Sequence, residues 1–142
     1  MEQKKRDGEN EDGLLPLFLD LSHRLVVIFG GGGVGTRKAE LFSRYGLVKV
    51  CSLDFSEDLL KLAKRKGDRV ETVCCDLSSG FSQHLQGAFL AVPATSNIKL
   101  NQAIEGECRA RGILVNRVDG RGEAVVPSII RRGRVSIAIS TE

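Results

Sequence analysis

R-L-V-V-I-F-G-G-G-G-V-G-T-R-K-A-E-L-F-S-R-Y, residues Arg24 to Tyr45, decides the architecture of this chain. Leu25 to Phe29 is a short unbroken apolar run with β-branched residues, the pattern of a strand buried on both faces. Gly30 to Gly35 follow at once, broken only by Val34, and contain G-x-G-x-x-G as Gly30, Gly32 and Gly35. The apolar spacing then changes to Val34, Leu41, Phe42 and Tyr45, which suits one face of a helix. Strand, glycine turn and helix form the context in which this motif reads as a dinucleotide site. Gly30 then permits the tight turn, Gly32 the approach of backbone to a pyrophosphate, and Gly35 the close packing of helix on strand. The free N–H groups and positive end of the helix face the phosphates. Asp54 stands about 20 residues further on, near the expected ribose-binding position at the end of the next strand. A purely structural glycine turn is the alternative; NAD or NADP is the favoured ligand.

Working outward, 142 residues suffice for one domain with its own core. A net charge of +3 is too mild to point to nucleic acid. No apolar run reaches the roughly 18 residues of a membrane span, and no apolar stretch follows the charged N-terminus as in a signal peptide. A cytoplasmic location is therefore expected. Cys51, Cys74, Cys75 and Cys108 show no C-x-x-C pair, so buried reduced thiols are expected and no metal site is assigned. His23 and His84 are isolated in sequence and read as surface residues.

Residues 1–13 are almost wholly charged or polar and read as a disordered tail. Leu14 to Leu21, interrupted by Pro16, is expected to lie along the sheet or over the cofactor pocket. Val48 to Leu53 reads as the second strand. Ser56 caps a second helix with Glu57 and Asp58 in its first turn and Lys64 to Gly67 at its end. Val70 to Cys75 and Ala88 to Val92 read as strands, with a polar loop between them. Ile98 to Arg111 reads as a helix with Leu100, Ile104 and Cys108 on one stripe, and Ile113 to Val118 as the fifth strand. This alternation predicts an α/β, Rossmann-type, doubly wound parallel sheet over residues 14–123. Ala124 to Ile130 and Arg134 to Ser140, joined by Arg131, Arg132 and Gly133, are too close for a parallel crossover. They predict a C-terminal antiparallel β-hairpin, residues 124–142, suited to a subunit interface. Ligands in such sheets bind beyond the carboxyl ends of the strands, here Gly31 to Gly35, Asp54, Ala94 to Ser96 and Asn116 to Asp119.

Several separate pieces together resemble one family, the N-terminal dehydrogenase domain of siroheme synthase (precorrin-2 dehydrogenase, in some members also sirohydrochlorin ferrochelatase). They are L-P-L-F-L-D-L (Leu15 to Leu21), V-I-F-G-G-G-G-V-G-T-R-K (Val27 to Lys38) and A-T-S-N-I-K-L-N (Ala94 to Asn101). R-G-I-L-V-N-R-V-D (Arg111 to Asp119), V-P-S-I-I (Val126 to Ile130) and S-I-A-I-S-T (Ser136 to Thr141) follow in order. The resemblance implies NAD-dependent dehydrogenation of precorrin-2 to sirohydrochlorin by a homodimer; the charge and the apolar runs already point to neither nucleic acid nor membrane as partner. It places Gly33 and Val34 at the cofactor phosphates and Leu53 and Asp54 at the adenosine side; Gly30, Gly31, Gly32 and Gly35 of the motif and Ala94 and Thr95 on the same rim complete the expected cofactor-binding set. Asp119 matches the aspartate assigned to catalysis, and to metal chelation where that occurs. Thr141 falls where some members carry a serine.

A carboxylate beside the nicotinamide is also what proton loss from an oxidised tetrapyrrole requires, although Asp119-Gly120 is good turn chemistry as well. Arg117 and Arg121 flank Asp119 as planar donors for substrate carboxylates, and Asn116 and Ser128 join them as candidate substrate contacts. Arg131 and Arg132 suit hairpin solubility equally well. Family members continue past the point matching Glu142 into a helical region that helps form the dimer and the substrate cleft. A minimal enzyme, a domain completed by a partner chain and a cofactor-binding remnant are the readings this leaves. A non-catalytic NAD-sensing Rossmann module is the alternative function.

Overall fold

Residues 13–140 are described by a computed structural model; residues 1–12 of the expected tail, and Thr141, lie outside them. At its centre β1 (Leu25–Phe29) is fully buried from Val26 to Phe29. It lies between β2 (Leu47–Ser52) and β4 (Ala88–Pro93), with β3 (Val70–Cys74) outside β2 and β5 (Leu114–Val115) outside β4. Every ladder of this sheet is parallel, in the order β3-β2-β1-β4-β5. Because side chains alternate along a strand, the two faces of the sheet build two cores. Val26, Ile28, Val48, Val50, Leu90 and Val92 face α1 (Gly33–Phe42) and α2 (Glu57–Lys66), meeting Ala39, Phe42, Leu59 and Leu62. Val27, Phe29, Cys51 and Ala91 face Ile104 and Cys108 of α3 (Ile98–Arg111), with Leu77 and Leu85 from the β3–β4 connection. A sheet covered on both sides in this order is the doubly wound Rossmann-type arrangement expected.

Local chemistry sets the helix ends. Ser56 Oγ accepts from Leu59 N–H at 3.1 Å, and Gly67 at φ 56° closes α2. Asn97 caps α3 by accepting from Leu100 N–H at 3.1 Å, and left-handed Gly112 ends it.

Three expectations change. The fifth strand, expected over 113–118, pairs only at Leu114 and Val115, because the chain turns back on its own end. Asn116 Nδ2 donates to Ala124 O at 2.9 Å, and Ala124 N–H donates to Val115 O at 3.0 Å. Ala124 and Val126, thus drawn against the core, are not strand residues, and the hairpin begins later, as β6 (Ser128–Arg132) and β7 (Val135–Ile139). Its antiparallel pairing is as expected, but Arg131 and Arg132 lie in the ladder opposite Ser136 and Val135. The loop is Gly133-Arg134, with Gly133 at φ 56° supplying the positive angle that tight hairpin turns demand. The leader, expected along the sheet or over the pocket, meets the core through Leu21, while Leu15, Leu17 and Phe18 are exposed.

Candidate functional site

Strand order reverses between β1 and β4, and the cleft opens at their carboxyl ends, where doubly wound sheets hold ligands. It encloses about 550 Å³, lined by Gly30 to Val34, by Ser52 to Ser56, and by Ala94, Thr95 and Ser96. Gly30 makes the turn out of β1 at φ 117°, and a Cβ there would stand 2.3 Å from Ala94 O. Gly35 is buried against the same turn, where a Cβ would stand 2.0 Å from Gly30 O; it joins helix to strand rather than lining the cleft. Gly32 is different. A Cβ on it would meet nothing within 4 Å, so no protein packing demands glycine there.

Gly32 is also the N-cap of α1, offers no side-chain cap, and is followed by no acid in the first turn. The N–H groups at this helix end and the dipole behind them suit an anion. Arg37 adds a cation one turn on, its Nη1 3.6 Å from where a Gly33 Cβ would stand. Burial, and Arg37 beside it, hold the Lys38 ammonium below its ordinary pKa. A relay braces the loop. Leu59 N–H donates to Ser56 Oγ, which shares a 2.7 Å hydrogen bond with Thr36 Oγ1, which donates to Gly32 O at 2.7 Å. On the far wall, Asn101 Oδ1 accepts from Thr95 N–H at 3.1 Å and from Thr95 Oγ1 at 2.6 Å, while its Nδ2 donates to Thr95 O at 3.0 Å. Thr36 and Asn101 escaped sequence reasoning, although both stand inside motifs it singled out.

The cleft thus brings together Gly30, Gly31, Gly32, Gly33, Val34, Leu53, Asp54, Ala94 and Thr95. Val34, counted on the apolar face of its helix, is 36% exposed and lines the cleft. Asn116, Arg117, Asp119, Arg121 and Ser128 lie beyond β5 and outside the lining. Asn116 is 3% exposed and spends its Nδ2 on Ala124 O, leaving Oδ1 buried without a partner. Asp119 pairs with Arg117 Nη2 at 3.3 Å, and Arg117 Nε reaches buried Glu105 at 3.6 Å. Glu105 also pairs with Arg109, which binds Glu123 at 2.5 Å. The Arg109 hydrogen bond holds the Glu123 carboxyl below its ordinary pKa of 4.5.

The cysteines are free thiols, as expected, but not all are buried: Cys51 and Cys108 are, Cys75 is half-buried and Cys74 exposed. Burial pushes the Cys51 thiol up to about 12 and that of Cys108 to about 11. Sequence spacing pairs no metal ligands, but the fold does bring three together. The fold gathers ligand atoms of Cys51, Cys75 and His84 within 4.8 Å of one another, and His84, expected on the surface, buries its Nε2 without a partner.

Comparison with known proteins agrees with this geometry. Residues 17–128 match an NAD(P)-binding family model, NAD_binding_7. The chain is 48% identical over 134 residues to precorrin-2 dehydrogenase of Methanosarcina barkeri, covering 92% of this chain and 59% of that protein. It is 37% identical over 131 residues to siroheme synthase 1 of Pectobacterium atrosepticum, covering 89% of this chain and 26% of that one. A solved structure of SirC, precorrin-2 dehydrogenase, matches with a TM-score of 0.73 at 25% identity, covering 91% of this chain and 62% of that one. The chain therefore spans less than two thirds of the length of each of these relatives. With the family match running from the leader to the first residue of β6, across the whole cofactor cleft, the chain belongs to this NAD(P)-binding family.

Proposed function

We propose that this chain carries the dehydrogenation of precorrin-2 to sirohydrochlorin, with NAD as acceptor. The observation that carries the reading is the 48% identity to the Methanosarcina barkeri enzyme over 92% of this chain. The cleft supplies the physical support. Gly31 to Val34 and the bare N-terminus of α1 would hold the pyrophosphate, with Ala94 and Thr95 closing the opposite wall. Leu53 and Asp54 would take the adenosine ribose, and the Asp54 carboxylate disfavours a 2′-phosphate, which selects NAD over NADP. Bound NAD supplies the hydride acceptor.

The remaining work is assigned to the residues that follow β5. The Asp119 carboxylate takes up the proton that the tetrapyrrole sheds on oxidation and stabilises the positive charge that develops on the ring. Arg117, 3.3 Å away, orients it. Arg117 and Arg121, with Ser128, are the proposed contacts to a carboxylate-rich substrate, for which guanidinium groups are matched donors; Asn116, buried with its Nδ2 on Ala124 O, holds the return segment instead.

The exposed hairpin supports a homodimer. Its register sets Ile130, Ile137, Ile139 and Val135 on one face, all exposed, and a lone two-stranded hairpin is marginal without something to pack against. Free thiols suit a reducing cytoplasm, and no helix among the described residues is long and apolar enough to cross a membrane.

The test is anaerobic incubation of the purified chain with NAD and enzymatically generated precorrin-2, following the absorbance change to sirohydrochlorin. Turnover is expected, and Asp119→Asn should lower the rate by about 100-fold or more while NAD affinity is unchanged. An Asp119→Asn protein that turns over as fast as wild type removes the catalytic role. NAD binding without turnover in the wild-type chain means either a domain that a partner chain completes or a non-catalytic NAD-sensing module.

A further inference from the structure

We propose that Cys51, Cys75 and His84 form a metal site for a thiophilic divalent cation, zinc foremost, separate from the cofactor cleft. The ligand atoms come from three places in the chain. Cys51 lies on β2, Cys75 directly follows β3, and His84 sits in the 3-10 turn Ser82–Leu85. Parallel pairing brings the ends of β2 and β3 side by side, with Cys75 N–H bonded to Ser52 O at 3.0 Å. The turn is then laid over these strand ends and anchored on every side. Leu85 is 1% exposed, and Phe81 packs edge-on against Phe29 with centroids 6.2 Å apart. Ser82 Oγ donates to Glu107 Oε2 at 2.7 Å, and Arg111 Nη1 donates to Ser82 O at 3.2 Å. His84 is therefore held in place by its neighbours before any metal arrives.

Three features separate this cluster from ordinary core thiols. The donors lie within 4.8 Å of one another, and tetrahedral zinc with Zn–S bonds near 2.3 Å sets its sulfurs about 3.8 Å apart. Closing the site thus asks for about 1 Å of side-chain movement. His84 Nε2 is buried with no hydrogen-bond partner, a cost that structures usually avoid and that a bound cation relieves. Two sulfurs and an imidazole are, finally, the donor set that selects zinc and its soft neighbours over magnesium or calcium.

Binding exchanges the two thiol protons for one divalent cation, giving two metal–thiolate bonds and one metal–imidazole bond, and leaves a neutral site. Three protein ligands leave a fourth position for water or an added ligand. Cys74, next to the cluster in sequence, is exposed and directs its Sγ to Leu53 O at 3.4 Å, so it is not the fourth ligand in this arrangement. The metal would pin the 82–85 turn to the strand ends one residue before the Ser52 to Asp54 wall of the cleft. Nothing in this depends on the dehydrogenase reading.

Cobalt(II) titration of the reduced full chain tests it. One equivalent per chain should give thiolate-to-cobalt charge transfer and the intense visible bands of a tetrahedral site, and zinc should abolish both. Cys75→Ala and His84→Ala, at half-buried positions that spare the core, should each weaken binding at least 100-fold. Cys74→Ala and Cys108→Ala should leave it unchanged. Absence of charge transfer at one equivalent, or equal binding by Cys75→Ala or His84→Ala, overturns the proposal. Circular dichroism of each variant separates lost binding from lost fold.

Discussion

Gly32 and Gly35 belong to one motif but answer to different demands. At Gly35 a side chain would collide with the backbone carbonyl of Gly30, which cannot swing aside as a flexible side chain could. At Gly32 the backbone is extended and the space is open. Gly35→Ala is therefore expected to destabilise the fold by about 3 kcal/mol in denaturant titrations. Gly32→Ala should cost less than about 1 kcal/mol of stability. It should nonetheless weaken NAD binding by at least about 10-fold in calorimetry, because the methyl enters the space the phosphates require. Equal NAD affinity in Gly32→Ala would show that the backbone there does not approach the ligand.

At the scale of elements, the segment that returns from β5 toward the hairpin is tied to α3 by charge and to β5 by backbone. Arg109 joins Glu105 on its own helix to Glu123 on the return. The Glu123 carboxyl has a folded pKa below its ordinary 4.5, chiefly through the Arg109 hydrogen bond. A depressed carboxylate stabilises the fold at pH values above 4.5, and that contribution fades as pH falls through the lower folded value. Both partners are more than a third exposed, so solvent screening keeps the effect at neutral pH to about 0.5 kcal/mol or less. Glu123→Gln should accordingly lower Tm slightly at pH 7, with the difference from wild type vanishing in acid. A difference that persists at low pH would mean the ion pair is not its source.

For the whole molecule, the unpartnered face of the hairpin is the feature that the fold of one chain does not explain. Sedimentation is expected to show a monomer for Ile137→Asp, against the dimer proposed for the wild type. Arg131→Ser, on the opposite face with Ser136, should leave the dimer intact. A wild-type chain that is itself monomeric would send the search to another partner for that face. The cobalt site belongs to this scale as well, since its ligands become neighbours only when the sheet and the β3–β4 connection close together.

What the residues determined by themselves was local in origin. The apolar run before the glycines, the cap at Ser56 and the changes of period placed the strands, the helices and the cofactor loop, because each rests on contacts within a few residues. The cleft wall from Leu53, Asp54, Ala94 and Thr95 was legible too, since parallel order puts every strand end on one rim. Other features were decided by tertiary structure alone. The fifth strand stops at Val115 because Asn116 and Ala124 fold back on it, and the leader meets the core through Leu21 while Leu15, Leu17 and Phe18 stay exposed. The Cys51, Cys75 and His84 cluster, invisible at its sequence spacing, exists because parallel strands bring their ends side by side and an anchored turn covers them. Spacing along the chain encodes neighbours within an element, and only packing makes neighbours between elements.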